Sequence, residues 1–291
     1  MWPEKTPAPT PTAPYAGQRV ALLTQHGKER WVAPVLQAAL GCQIERVGGF
    51  DTDRLGSFTR ETARAGSQLD AARQKARIGM QLSGLSLGLA SEGSFAPDPF
   101  SGQLPWNLEL LVFIDEPRGI EVVAQAQGAA LHVHGLAADW AQAQALARRA
   151  GFPAHHLTLR PDDADDPRVC KGLADWNALQ AAFDRALAQS HSGLIFLEND
   201  LRAHAHPGRQ QHIERAAQAL AAKLQTRCPA CDCPGFGLIE RIPGLPCADC
   251  GRPTREPCAD LYGCLRCDLR QKRARTDSQL ADPARCDTCN P

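Results

Sequence analysis

The sequence predicts an α/β fold, a sheet covered by helices on both faces, followed by a small cysteine-rich module. Three observations predict it. Short apolar runs alternate with segments of helical periodicity from Arg19 to about Leu224, as when strands exchange with helices across a buried sheet. Of twelve cysteines, ten lie between Cys228 and Cys289, eight of them in four C-x-x-C pairs. The chain of 291 residues is 43% hydrophobic and 22% charged, a globular composition with room for one large domain or two smaller ones.

Lysine plus arginine and aspartate plus glutamate number 32 each. That balance argues against a general binder of nucleic acid or membrane surfaces. No apolar stretch has the length of a membrane span, and the N-terminus lacks the apolar core of a signal peptide. Five prolines in the first fourteen residues predict an extended, disordered tail over residues 1–16. The α/β domain is expected over 17–226 and the cysteine module over 227–291.

"RVALLT" reads as a buried strand. "ERWVAPVLQAALG" follows as a helix with Trp31, Val35, Leu36 and Leu40 on one stripe and Gly41 as its stop; Pro34 fits it only in the first turn. In "SQLDAARQKARIGMQLSG", Leu69, Ala72, Ala76 and Met80 share a helix face that Gly84 closes. "LSLGLASEGSF", "LELLVFID" and "IEVVAQAQG" read as strands. "AADWAQAQALARRAG" is a helix whose last turn carries Arg148 and Arg149, as the helix dipole favours. The strand "HHLTLR", the helix "LADWNALQAAFDRALAQS" and the strand "GLIFLE" come next. The last helix runs from Pro207 to about Leu224, with Ile213, Ala217, Leu220 and Leu224 on one face.

The cysteine pairs are Cys228/Cys231, Cys247/Cys250, Cys264/Cys267 and Cys286/Cys289. A C-x-x-C turn presents two thiolates, and two such turns close a tetrahedral zinc site. The gaps of 15, 13 and 18 residues between pairs suit zinc ribbons, so two structural zinc ions are expected. Such clustering reads as metal binding in a reducing cytoplasm rather than as disulfides. The hairpin-like "GFGLIERI" between the first two pairs favours sequential pairing over nested or crossed pairing. Cys233 and Cys258 are left over. Arg266, Arg270, Lys272, Arg273 and Arg275 form a basic patch, read as a solvated hairpin face in preference to a nucleic-acid contact.

Three polar clusters carry the functional expectation. "FLENDLRAHAHPGRQQHIERAA" places Glu198, Asp200, Arg202, His204, His206 and Arg209 around a strand exit and a helix start. Cations at a helix start are unfavourable unless paired or neutralised by a bound anion such as phosphate. Thr24, His26 and Lys28 in "LLTQHGKERW" follow the first strand, with Gly27 letting the backbone approach a ligand. Asp70 and Lys75 on one helix precede Glu92 at a strand exit, a place for a metal-binding or base carboxylate. Ligands of open α/β sheets gather at the carboxyl ends of strands, so Glu92, Lys28 and Arg209 are expected to line one cleft there. His132 and His134 alternate along a strand; metal ligation and a solvated strand face both fit them, and the second is favoured.

"TQHGKE", "DAARQKA" and "GLASEGSF" resemble motifs of the inosine triphosphate pyrophosphatase family, across roughly the first hundred residues. The resemblance implies that Thr24, His26 and Lys28 hold phosphates, that Asp70 helps bind magnesium, and that Glu92 is a metal ligand or base. His26 stands where that family has asparagine, Ala71 replaces another asparagine, and Glu92 replaces an aspartate. "TQHGKE", "ASEGSF", "DLRAHAHPGR", "GLPCADCGRPT" and "CDTCNP" also resemble a bacterial family of unknown function over residues 18–291, which implies the two-part architecture. Two functions follow. One is a magnesium-dependent phosphohydrolase of a nucleotide or related compound, with Glu92, Asp70 and Asp200 as its carboxylates and Thr24, His26, Lys28, Lys75, Arg202, His204 and Arg209 holding phosphate. The other is an adaptor or ligand sensor whose zinc module binds a protein or RNA partner.

Overall fold

A computed structural model describes residues 13–55, 66–277 and 279–291. Strand β1 (Arg19–Leu23), helix α1 (Glu29–Leu40) and strand β2 (Gln43–Val47) open the chain. Helix α2 (Gln68–Ser83) leads to β3 (Leu87–Pro97), β4 (Pro105–Asp115) and β5 (Ile120–Ala129). These strands form one mixed sheet, β2-β1-β3-β4-β5, parallel at β2-β1-β3 and antiparallel beyond.

The chain then builds a second, antiparallel sheet from β6 (His134–Ala137), α3 (Trp140–Arg149), β7 (Leu157–Pro161), β8 (Cys170–Leu173), α4 (Trp176–Leu187) and β9 (Ile195–Asn199), in the order β6-β9-β7-β8. Helix α5 (Pro207–Gln225) returns to pack on the first sheet beside α1. The α/β fold class is as the sequence predicts, except that two sheets share the elements expected of one. β2 and β8 are strands of these two sheets that the apolar pattern did not reveal; each has one fully buried residue.

Side-chain alternation sorts each sheet into faces. Leu22, Leu87, Leu89, Leu111 and Phe113 point to α1 and α5. Ala21, Leu23, Ala90, Leu110 and Val112 point to α2. In the second sheet Leu157, Leu159, Ile195 and Leu197 are covered by α3 and α4. The other face, with His134, Thr158, Arg160, Phe196 and Glu198, carries no helix among the described residues and turns toward the end of β3, where Phe95 meets His132 with ring centroids 5.8 Å apart.

Local chemistry explains the boundaries. Gly41 and Gly84 end α1 and α2 in the left-handed conformation, as glycine permits. Asp139 and Asp175 cap α3 and α4 by accepting from Gln142 N and Ala178 N. Pro34 is not in the first turn of α1 but at its sixth position. The carbonyl it strands belongs to the exposed Arg30, and the burial of Val32, Leu36 and Leu40 offsets the cost. Of the expected tail, residues 1–12 lie outside the described residues. Residues 13–16 are not extended: a turn there seats Tyr15 in the core, its hydroxyl donating to Asp115 at 3.0 Å.

A three-stranded antiparallel sheet of β10 (Gly237–Pro243), β11 (Pro257–Gly263) and β12 (Arg270–Ala274) carries the cysteine turns. Cys228, Cys233, Phe236 and Cys264 belong to the same apolar core as α1 and α5. Among the described residues no helix is long and apolar enough to cross a membrane.

Candidate functional site

The eight paired cysteines form two complete four-thiol groups, Cys228–Cys231–Cys264–Cys267 and Cys247–Cys250–Cys286–Cys289. The turns therefore join first to third and second to fourth, correcting the expected sequential pairing. The hairpin "GFGLIERI" does supply β10, but β10 pairs with β11, and that pairing carries the third turn back to the first. Cross-turn Sγ–Sγ distances are 3.7 and 3.6 Å in the first group and 3.8 and 3.7 Å in the second. A tetrahedral zinc ion with bonds of about 2.3 Å holds its sulfurs roughly 3.8 Å apart, so the donor set fits zinc. Four thiolates would leave a bound ion no open position, the donor set typical of structural rather than catalytic zinc. Burial pushes the Cys264 thiol up, but the N–H groups of Cys267 and Arg266 donate to its sulfur and bring it down to about 6.

The basic patch is largely engaged within the module. Arg270 donates to the carbonyls of Cys264, Cys267 and Leu269. Arg273 lies 4.3 Å from the Tyr262 ring, and Arg275 pairs with Asp260 and Asp277.

The polar residues of the α/β region gather past the ends of β1 and β9, against the middle of β3, so Glu92 is a mid-strand residue and not at a strand exit as expected. Lys28, at the start of α1, is buried; its ammonium donates to Ser91 O at 2.9 Å and Ser91 Oγ at 3.2 Å. It also stands 3.7 Å from Glu109 Oε2. Glu109, on β4, is fully buried, and its other oxygen accepts from Arg209 Nε at 2.6 Å. Arg209 further donates to Leu201 O. Asn107 donates to Glu109 at 3.1 Å, and its amide oxygen meets His212 Nδ1 at 2.9 Å. Burial lowers Lys28 to about 8, against the opposing pull of Glu109. Burial also raises Glu109, but Arg209 and Lys28 together bring it below the usual carboxylate range.

This set differs from the expected one. Arg209 does not face the helix start; it turns inward and is 1% exposed. The helix start is closed instead by His206, whose Nδ1 accepts from Arg209 N at 3.2 Å while Nε2 meets Leu131 O at 2.8 Å. Glu92 and Arg209 do not line one cleft. Adjacent β3 residues point to opposite faces: Glu92 pairs with Lys75 on α2, whereas a side chain at Gly93 would collide with Arg209 and Glu109. Lys28 sits at the edge between these faces, just past the end of β1. Asp70, expected at magnesium, closes a capping box with Ser67 and pairs with Arg73. Asp200 is buried against Arg202 and accepts from Gly172 N at 3.1 Å. Thr24 Oγ1 accepts from Lys28 N at 3.3 Å and fixes the loop.

Three histidines meet near the surface at these strand ends, His204 exposed and His26 and His156 half-buried. His26 follows β1, His156 precedes β7 and His204 follows β9. The His204 ring lies 5.5 Å from that of His26 and 6.4 Å from that of His156. Arg202 is on the same segment. Burial lowers the pKa of His204, and Arg202 lowers it further. Among the described residues, only the two cysteine groups hold at least three donor atoms within metal-binding distance of one another.

Glu109 escaped the sequence reading, and so did the inward direction of Arg209, although each carried a signal. Glu109 interrupts the apolar strand "LELLVFID" on the parity of Leu111 and Phe113. Arg209 likewise precedes Ile213 by four residues and so shares its buried stripe. A model of a domain of unknown function, DUF6671, matches residues 75–291. No curated protein matches the chain. The chain belongs to the DUF6671 family.

Proposed function

We propose that this member of the DUF6671 family binds a phosphate-bearing small molecule, a nucleotide or related compound, in a cleft formed by these three histidines, and hydrolyses it. One observation carries the reading: three histidines from three separate segments meet beside Arg202 at the carboxyl ends of β1 and β9, where α/β sheets present their ligands. The likeness of "TQHGKE" to a pyrophosphatase motif supports phosphate at the same strand exit. Arg202 and His26 would supply donors to phosphate oxygens. His204, its pKa lowered by burial and by Arg202, is neutral at pH 7 and suited to accept a proton from attacking water. Lys28, Glu109 and Arg209 form the buried floor that fixes the loops after β1 and β9. Asp70, Glu92 and Asp200 each serve a different cation or cap, so magnesium would arrive coordinated by the ligand's phosphates, as is common for that ion.

The test is phosphate release from a panel of nucleotides and sugar phosphates with magnesium. Wild-type protein should turn over at least one compound, and His204→Ala should reduce the rate by 10²-fold or more, the usual worth of a positioned base. Wild-type protein inert across the panel would overturn hydrolysis. It would leave the adaptor reading, in which the zinc module engages a protein or RNA partner.

A further inference from the structure

We infer that His132, His134 and Glu198 form a third metal site, distinct from both cysteine groups, for a divalent first-row transition metal. It goes beyond the phosphate reading and does not depend on it. The three residues share the face of the second sheet that no helix among the described residues covers. His134 and Glu198 are directly paired across β6 and β9, which puts their side chains on one face. His132 lies two residues earlier on the same extended segment, and the rings of His132 and His134 are 5.4 Å apart. His132 Nε2 is 4.0 Å from Glu198 Oε2, and this buried nitrogen has no hydrogen-bond partner.

Two imidazoles and one carboxylate are the donor set of zinc or iron(II) sites that keep coordination positions open. An ion with bonds of about 2.0–2.1 Å holds tetrahedral donors roughly 3.3 Å apart, so closing the site needs under an ångström of movement between His132 and Glu198. The His134 donor lies outside that range in this structure; its side chain is exposed and completes the set by turning about its own torsions. Arg160 stands 3.5 Å from the other carboxylate oxygen, Glu198 Oε1, and acts as a positioning residue for the carboxylate. A cavity of about 350 Å³ opens in front, lined by Phe95, Leu104, Pro105, His132 and His134. A bound ion would therefore keep a face toward space large enough for a small ligand. Phe95 also contacts the His206 ring at 5.6 Å, which places this site beside the segment that leads into the histidine cleft.

Cobalt(II) tests the assignment, because thiolate sites give intense sulfur-to-metal charge-transfer bands and an imidazole–carboxylate site does not. Full-length protein stripped and titrated with cobalt should bind three ions per chain, the third adding ligand-field absorption without charge transfer. His134→Ala and, separately, His132→Gln should each saturate at two ions with the thiolate bands intact. The inference is overturned if wild type saturates at two ions, or if the third ion persists unchanged in both variants, as adventitious surface binding would.

Discussion

Glu109 and Arg209 set the energetics of the α/β core at the scale of single residues. Each is a charge removed from water, tolerable because the other, with Lys28 and Asn107, supplies compensation. Deleting one partner strands the other, which typically costs about 3–5 kcal/mol. Arg209→Met is therefore expected to lower the urea-unfolding free energy by that amount, and pairing it with Glu109→Met should restore part of the loss. A loss under about 1 kcal/mol in the single variant would contradict the buried pair and fit an exposed one. The histidines give a pH dependence. Burial lowers His206 to about 4 and also depresses His155, His204 and His212. The unfolded chain protonates these rings near pH 6.5, the folded chain only at lower pH. Their contribution is intact above pH 6.5 and falls as pH drops, for His206 reaching its full loss below about 4. Melting temperature should decline through this window, and His206→Asn, which keeps a capping acceptor, should flatten the decline. An identical slope in both proteins would exclude His206 as a source.

Elements explain why the two cysteine groups are not equivalent. The first joins the turn after α5 to the turn after β11, and its cysteines pack with Phe236 into the core that α1, α5 and the first sheet share. The second lies outside that core, its turns tied to one another by isolated bridges such as Cys247 to Ala281. Cys264→Ser should therefore remove one metal and raise hydrogen exchange along α5, whereas Cys247→Ser should remove one metal and leave α5 protected. Equal exchange of α5 in the two variants would contradict this division. The elements also show where the sequence could be read. C-x-x-C turns are local, so all eight ligands are visible in the sequence. Their partnership is set by β10–β11 pairing across the module, which spacing alone does not encode. Helices α2 to α5 and the longer strands follow from apolar periodicity. Glu109 looked like an interruption because its partner lies a hundred residues away, on another element.

At the scale of the whole molecule, the chain leaves the first sheet after β5, builds the second, and returns through α5. Every loop of the histidine cleft lies at that crossing: His26 from the first sheet, His156 and His204 from the second and its exit. The fold class was legible because burial patterns are local, whereas the cleft was only half legible because it is made by two sheets. His26, Arg202 and His204 could be picked out as cations at strand exits. His156 could not, since it reads as the start of an ordinary strand. Calorimetric titration with inorganic phosphate and with nucleotides, comparing wild type with a His26→Ala/His204→Ala double variant, tests the cleft most directly. Saturable binding of at least one of these ligands by wild type, weakened at least tenfold in a variant whose zinc content and melting temperature match wild type, is the predicted result. No binding by wild type, or equal affinity in the variant, would contradict the assignment of this cleft as the ligand site.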